Sequence, residues 1–160
     1  MIIDAGTTCY HVARHLEIKS PQVFTNSLPV ANLFAAANRL EVVVSGGVIY
    51  PRLGVLVGPL AVEAFAKIRA DAAIMSCGGI TLEGITNSHG LLIEIQKAMI
   101  EAALNQLPGD QREVVVMKIW GGLTFAQIGE ALGVPLNTAA SRYRYALVRL
   151  EADLAEVARE

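Results

Sequence analysis

The sequence predicts two folds in series: an α/β unit on a mostly parallel sheet over about residues 1–100, then an all-α helix-turn-helix unit over about residues 101–160. Three observations carry this. Short apolar runs rich in β-branched residues alternate with helical patterns through the first half, as in a parallel sheet covered on both faces. Polar or Gly-rich turns follow those runs, where they gather on one rim of such a sheet. From Thr124 to Leu150, two helical patterns meet at a short turn holding Gly133 and Pro135, the outline of a helix-turn-helix.

Met1–Ile3 reads as a buried strand that runs into Asp4-Ala5-Gly6-Thr7-Thr8 and then a helix from Cys9 to Leu16. Strand, Gly/Thr turn and helix start together place free backbone N–H groups where an anion, most often phosphate, is held. In the bland reading Gly6 makes the turn and Thr7 or Thr8 merely caps the helix. Val23–Thr25 is a second strand, and Ser27 or Asn26 caps a helix over Leu28–Asn38. Glu41–Ser45 is a third strand, ended by Gly46-Gly47. Val48–Gly58 is a hairpin or an irregular extension around Pro51, and Pro59–Ile68 a helix that starts on proline. Asp71–Ser76 is a fourth strand, ended by Cys77-Gly78-Gly79. Thr81–Ser88 is a loop, and Leu91 to about Leu107 a long helix.

In the second half, Thr124 caps a helix to Leu132 whose Phe125, Ile128 and Leu132 share one face. Gly133 ends it in the left-handed conformation. Pro135 opens a second helix, in which Leu136, Ala140, Tyr143, Leu147, Leu150, Leu154 and Val157 form an apolar stripe. Its polar side shows Asn137, Thr138, Ser141, Arg142, Arg144, Tyr145 and Arg149, the residue types that reach bases and phosphates from a major groove.

Composition bounds the function. Of 160 residues, 53% are hydrophobic and 18% charged, enough to bury a core and unlike a disordered tail. Residues 1–100 carry 7 basic and 7 acidic side chains, and residues 101–160 carry 6 and 8. A strong free-standing DNA binder has a positive face. The reading therefore expects weak DNA binding by one copy, helped by dimerisation or by a partner such as polymerase. The two cysteines, Cys9 and Cys77, make neither a disulfide framework nor a metal spacing. With no signal peptide, and with Val42–Ala66 broken by Pro51, Arg52, Pro59 and glycines, the expectation is a soluble cytoplasmic chain without a membrane helix.

Other signals have ordinary readings. His11 and His15 sit four apart on a helix, but no third ligand stands at the usual spacing, so no metal or other cofactor is expected. Asp4 with Glu83 or Glu94 would make an acid–base pair, yet no activated nucleophile or lysine accompanies them. Trp120 reads as a core anchor between helices and Tyr143 as core. Arg149 pairs with Asp153 in the alternative to DNA contact.

The second half also carries a family resemblance. LNQLPGDQREVVVMKIWGGLTFAQIGEALGVPLNTAASRYRYALVRL, residues 104–150, resembles region four of extracytoplasmic-function sigma factors. The carriers are Leu107-Pro108, Gln111-Arg112-Glu113-Val114, Leu123 to Ile128, Leu132-Gly133-Val134-Pro135, Asn137-Thr138 and Ser141-Arg142. The resemblance implies recognition of a minus-thirty-five promoter element beside RNA polymerase. Ala139 stands where the family often has Val, and Ala140 where it is often basic.

In the first half, DAGTT, TNS, SGG, VGPLA and CGGIT…GITN resemble the C-terminal sensor domain of DeoR-family transcription regulators, which shares its fold with ribose-phosphate isomerase and coenzyme A transferase. The resemblance implies a site for phosphorylated sugars. Asp4, Gly6, Thr7 and Thr8 would form the phosphate loop, and Asn26, Ser27, Gly46, Gly47 and Gly79 would line the pocket. Against the family pattern, the expectation is a sensor without its opening helix, without its later strands and the basic residue expected to face the ligand, and without a winged helix or a sigma region two. The functional expectation is a promoter-binding transcription regulator tuned by a sugar phosphate, as a monomer or homo-oligomer. The alternatives are an isomerase-like enzyme or sugar-phosphate-binding protein with a helical assembly tail, or a fusion remnant.

Overall fold

The computed structural model describes residues 1–16, 22–37, 40–81, 84–119 and 121–159. Asn38, Glu83 and Trp120 lie outside the described residues, and Asp153, Leu154 and Val157 outside the described side chains. The chain falls into two compact units, Met1–Ala103 and Leu104–Glu160.

The first unit follows strand and helix alternation. Its elements are β1 (Ile2–Ile3), α1 (Thr7–His15), β2 (Gln22–Thr25), α2 (Leu28–Ala37) and β3 (Glu41–Val44). Then come β4 (Val48–Tyr50), β5 (Val55–Val57), α3 (Pro59–Ala66), β6 (Ala73–Ile74), β7 (Gly79–Thr81), β8 (Gly84–Thr86) and α4 (Gly90–Leu104). The main sheet has the order β3-β2-β1-β6, and each of its pairings is parallel. Because successive strand residues face opposite ways, Ile2 and Ile3 enter different cores. Ile2 packs with Phe65 of α3 and with Ile95 and Met99 of α4. Ile3 packs with Cys9 and Ala13 of α1 and with Val30 and Phe34 of α2. Both isoleucines are wholly buried, each worth about 1.5–3 kcal/mol of apolar transfer. The parallel sheet expected from the sequence is therefore present, with helices on both faces.

Of the two forms expected for Val48–Gly58, the structure takes the antiparallel β4–β5 hairpin. Two local expectations change. The region expected as a loop, Thr81–Ser88, contributes to a second hairpin, β7–β8, in which Gly79 pairs with Thr86. The strand expected over Asp71–Ser76 shrinks to two residues, because Ser76 turns its backbone N–H to the Asp4 side chain instead of a neighbouring strand.

The second unit consists of α5 (Gly109–Ile119), α6 (Phe125–Leu132) and α7 (Leu136–Arg159) around Val114, Ile128 and Ala139. Thr124 caps α6 in a reciprocal box with Gln127: its hydroxyl accepts the Gln127 N–H, and the Gln127 side chain accepts the Thr124 N–H. Gly133 ends α6 at φ 65°, ψ 31°. The Val134 N–H then donates to the Gly129 carbonyl at 2.9 Å. This approach is close: a β-carbon on Gly129 would stand 2.7 Å from the Val134 carbonyl oxygen.

On α7 the expected apolar stripe is displaced. Ala139 and Ala146 are wholly buried, whereas Leu136 (49% exposed) and Leu147 (41%) face outward. The inward line is the buried Ala139 and Ala146 with the half-buried Tyr143 and Leu150, Tyr143 lying against the Phe125 ring at 5.5 Å. Small alanines let the α7 backbone approach α5 and α6 closely, so contact volume rather than hydropathy chooses the seam. Among the described residues no helix is long and apolar enough to cross a membrane.

Candidate functional site

A cleft of about 310 Å³ opens in the first unit beyond the carboxyl ends of β1 and β2. Its floor is built around Asp4, which is 2% exposed. One carboxylate oxygen accepts the Ala5 N–H at 2.7 Å. The other accepts the Ser76 N–H at 3.2 Å, the Ser76 hydroxyl at 3.3 Å and the Gln96 amide at 2.7 Å. Gln96 also donates to the Ser76 carbonyl at 2.9 Å and accepts from Asn87 at 3.2 Å. Burial pushes the Asp4 carboxyl above its ordinary value, and the hydrogen bonds from Gln96, Ala5 and Ser76 only partly offset this. Below it, burial and the Asp4 carboxylate raise the Cys9 thiol to about 11, so Cys9 is a packing residue and not a reactive thiolate.

Gly6 and Thr7 form the adjoining wall. The N-cap of α1 is Gly6, at φ 106°, and no side chain among the described residues caps the helix. The threonine cap of the bland reading is therefore absent: Thr7 and Thr8 lie inside the first turn. The unsatisfied amides of that turn carry partial positive charge. At Gly6 a β-carbon would stand 2.9 Å from the Ser76 hydroxyl oxygen.

The other expected ligand residues divide. Ser27 lines the cleft, but its hydroxyl already accepts the Val30 N–H as the cap of α2. Asn26 is wholly buried, donates to the Leu56 carbonyl at 3.3 Å and leaves its own side-chain oxygen without a partner among the described residues. Thr8, Asn26, Gly46, Gly47 and Gly79 stand outside the cleft lining. Gly47 has a packing reason for being glycine: at φ 113°, a β-carbon would lie 2.6 Å from the Val57 carbonyl oxygen.

Sequence reasoning passed over Ser76, Asn87, Gln96 and Arg52, all on the cleft wall. A signal for Gln96 existed. It follows Leu92 by four residues on α4, a polar side chain on a helix face otherwise buried through Ile95, Met99 and Ala102. The Asp4–Glu94 pairing does not form, since Glu94 faces solvent beside Lys97. His11 and His15 are exposed, and no group of three potential metal ligands occurs among the described residues.

In the second unit, the α7 residues expected to meet DNA fall into two sets. At 100° per residue, Asn137, Ser141, Arg144 and Tyr145 lie opposite the buried Ala139–Ala146 line. Arg144 rests over the Tyr145 ring at 5.5 Å. Thr138, Arg142 and Arg149 lie on the flank. Arg142 pairs with Asp110 of α5 at 3.0 Å and is 29% exposed, so it ties α7 to α5 instead of standing free for phosphate. Lys118 likewise turns inward, donating to the Leu123 carbonyl and covering the Phe125 ring. Arg144 and Arg149 remain exposed and form no ion pair among the described residues.

Comparison with known proteins divides the chain in the same order. Residues 1–107 match the DeoR C terminal sensor domain, and residues 97–150 match Sigma-70, region 4. The L-fucose operon activator of Escherichia coli is 29% identical over 106 residues, covering 66% of this chain and 44% of that protein. The HTH-type transcriptional repressor GlcR of Bacillus subtilis is 29% identical over 103 residues, 64% of this chain and 40% of the repressor. The HTH-type transcriptional repressor CsqR of Escherichia coli is 38% identical over 85 residues, 52% and 33% respectively. The chain thus matches less than half the length of each of these relatives. No solved structure matches it.

Proposed function

The chain belongs to the DeoR sensor-domain family, and from that premise we propose that it is a transcription regulator that binds promoter DNA through α7 and a phosphorylated sugar through the Asp4 cleft. The observation that carries the DNA half is the α6–α7 corner. A Thr124–Gln127 capping box, a left-handed Gly133 and an outward face of Asn137, Ser141, Arg144 and Tyr145 have the form of a major-groove reader. Asn137 and Ser141 reach base edges, Arg144 contacts phosphate or guanine, and Thr138 and Arg149 touch the backbone from the flank. A minus-thirty-five-like element is the target. Because the unit is net acidic, RNA polymerase or a second copy supplies the remaining affinity, and the protein works in the cytoplasm.

In the effector half, Asp4, Gly6, Thr7 and Ser27 stay in the proposed site. Asn26, Gly46, Gly47, Gly79 and Thr8 act through the backbone shape behind it. The chain acts as a regulator and not as an enzyme, since four donors occupy the Asp4 carboxylate. One observation favours the isomerase-like alternative: a carboxyl raised by burial in a cleft is a form that general bases take. Turnover of a sugar phosphate, abolished in Asp4→Asn, would establish that alternative.

Fluorescence anisotropy on labelled duplexes with varied minus-thirty-five-like elements, at low salt and with sugar phosphates added, tests the proposal. Sequence-dependent binding that shifts with a sugar phosphate is expected. Absence of binding at low salt would refute the regulator reading.

A further inference from the structure

We infer that Arg52 is the side chain that makes the cleft selective for a phosphate monoester over the free sugar; this rests on the effector reading above. Among the described residues, two carboxylate or guanidinium groups line the cleft, Asp4 and Arg52. Asp4 faces inward and its oxygens are occupied by the Ala5, Ser76 and Gln96 donors. Arg52 is exposed and forms no ion pair among the described residues. Its five donors match a phosphate fork.

The fold holds Arg52 in place through its backbone. It sits in the turn of the β4–β5 hairpin, where the Gly54 N–H donates to the Tyr50 carbonyl at 3.1 Å. The Gly54 carbonyl in turn accepts the Leu28 N–H at 2.9 Å, and Ser27 bridges Val55. The turn is thus stitched to the segment that follows β2, itself part of the cleft wall. The uncapped amides of α1 reach the same cleft from Gly6 and Thr7. Two donor sources on separate elements, one of them cationic, therefore converge on one small volume. At about 310 Å³ the space lies near the lower limit of ligand pockets. It suits a monosaccharide-sized ester rather than a nucleotide.

Isothermal titration of the full chain with glucose 6-phosphate, ribose 5-phosphate and glycerol 3-phosphate, each beside its unphosphorylated parent, tests this. The wild type should prefer at least one ester to its parent. In Arg52→Gln that ester should weaken about 10- to 100-fold while any binding of the parent is unchanged. Arg52→Lys should recover part of the loss, since it restores the charge without the fork. If Arg52→Gln binds the ester as tightly as the wild type, the selectivity role is overturned while the effector reading stands. If the wild type binds none of the three esters, the effector reading fails and the role of Arg52 falls with it.

Discussion

Asp4→Asn sets two opposed effects against each other. The wild-type carboxylate accepts three N–H hydrogen bonds and shares the Ser76 hydroxyl proton with the Ala5 carbonyl, the shortest two bonds being 2.7 Å from Ala5 and Gln96, on different oxygens. An amide has one acceptor oxygen. If that oxygen keeps Ser76 and Gln96, the new NH2 confronts the Ala5 N–H; if it keeps Ala5, the NH2 confronts Gln96. Either way, measured against the ionised wild type, one charge-assisted bond becomes donor against donor, a loss of about 1.5–3 kcal/mol. Burial acts the other way, since it raises the folded Asp4 value above that of an unfolded aspartate, about 3.9. Between those two values the folded chain holds the proton that the unfolded chain releases. The wild type therefore loses stability as pH rises through that window. Asp4→Asn cannot titrate and lacks this loss. Its deficit relative to the wild type should be largest below about pH 3.9 and should shrink as pH rises through the folded value. Urea unfolding followed by circular dichroism, from pH 3.5 to 7.5, measures both curves. A deficit that grew with rising pH would show that the donors outweigh burial and would refute this account.

Four further outcomes are expected. Arg144→Ala should weaken DNA binding and lower the slope of log affinity against log salt by about one, measured by anisotropy titrations at several salt concentrations. Arg142→Ala should instead cost about 0.5–1 kcal/mol of stability through the lost Asp110 pair and leave that salt slope nearly unchanged; a full unit of lost slope would return Arg142 to the DNA face. Thr124→Ala removes the capping box and should destabilise the second unit by about 1 kcal/mol, read as a lower denaturation midpoint. Gly47→Ala should destabilise the first unit by about 2 kcal/mol, through a left-handed backbone and a 2.6 Å contact with the Val57 carbonyl oxygen; unchanged thermal melting would show that the hairpin can shift freely.

Element type and the corners between elements were legible locally. Thr124, Gly133 and Pro135 specify their turn through local capping and backbone preferences, so sequence alone marked the helix-turn-helix. The parallel sheet was legible because β-branched runs alternate with helices. The Asp4 loop and Ser27 were legible as cleft residues because polar residues after such strands gather beyond the strand ends. Tertiary structure decided what depends on distant partners. Gln96 stands 92 positions from Asp4, and no local pattern announces that bond. Arg52 looked like an interruption in an apolar stretch until the hairpin carried it to the cleft. Gly47 and Gly79 looked like pocket residues until packing and strand pairing accounted for them. On α7, hydropathy favoured Leu136 and Leu147 as core, yet close helix approach selected Ala139 and Ala146 and turned Arg142 towards Asp110. Backbone preference is a property of neighbouring residues, whereas burial and charge pairing depend on which surfaces the folded chain brings together.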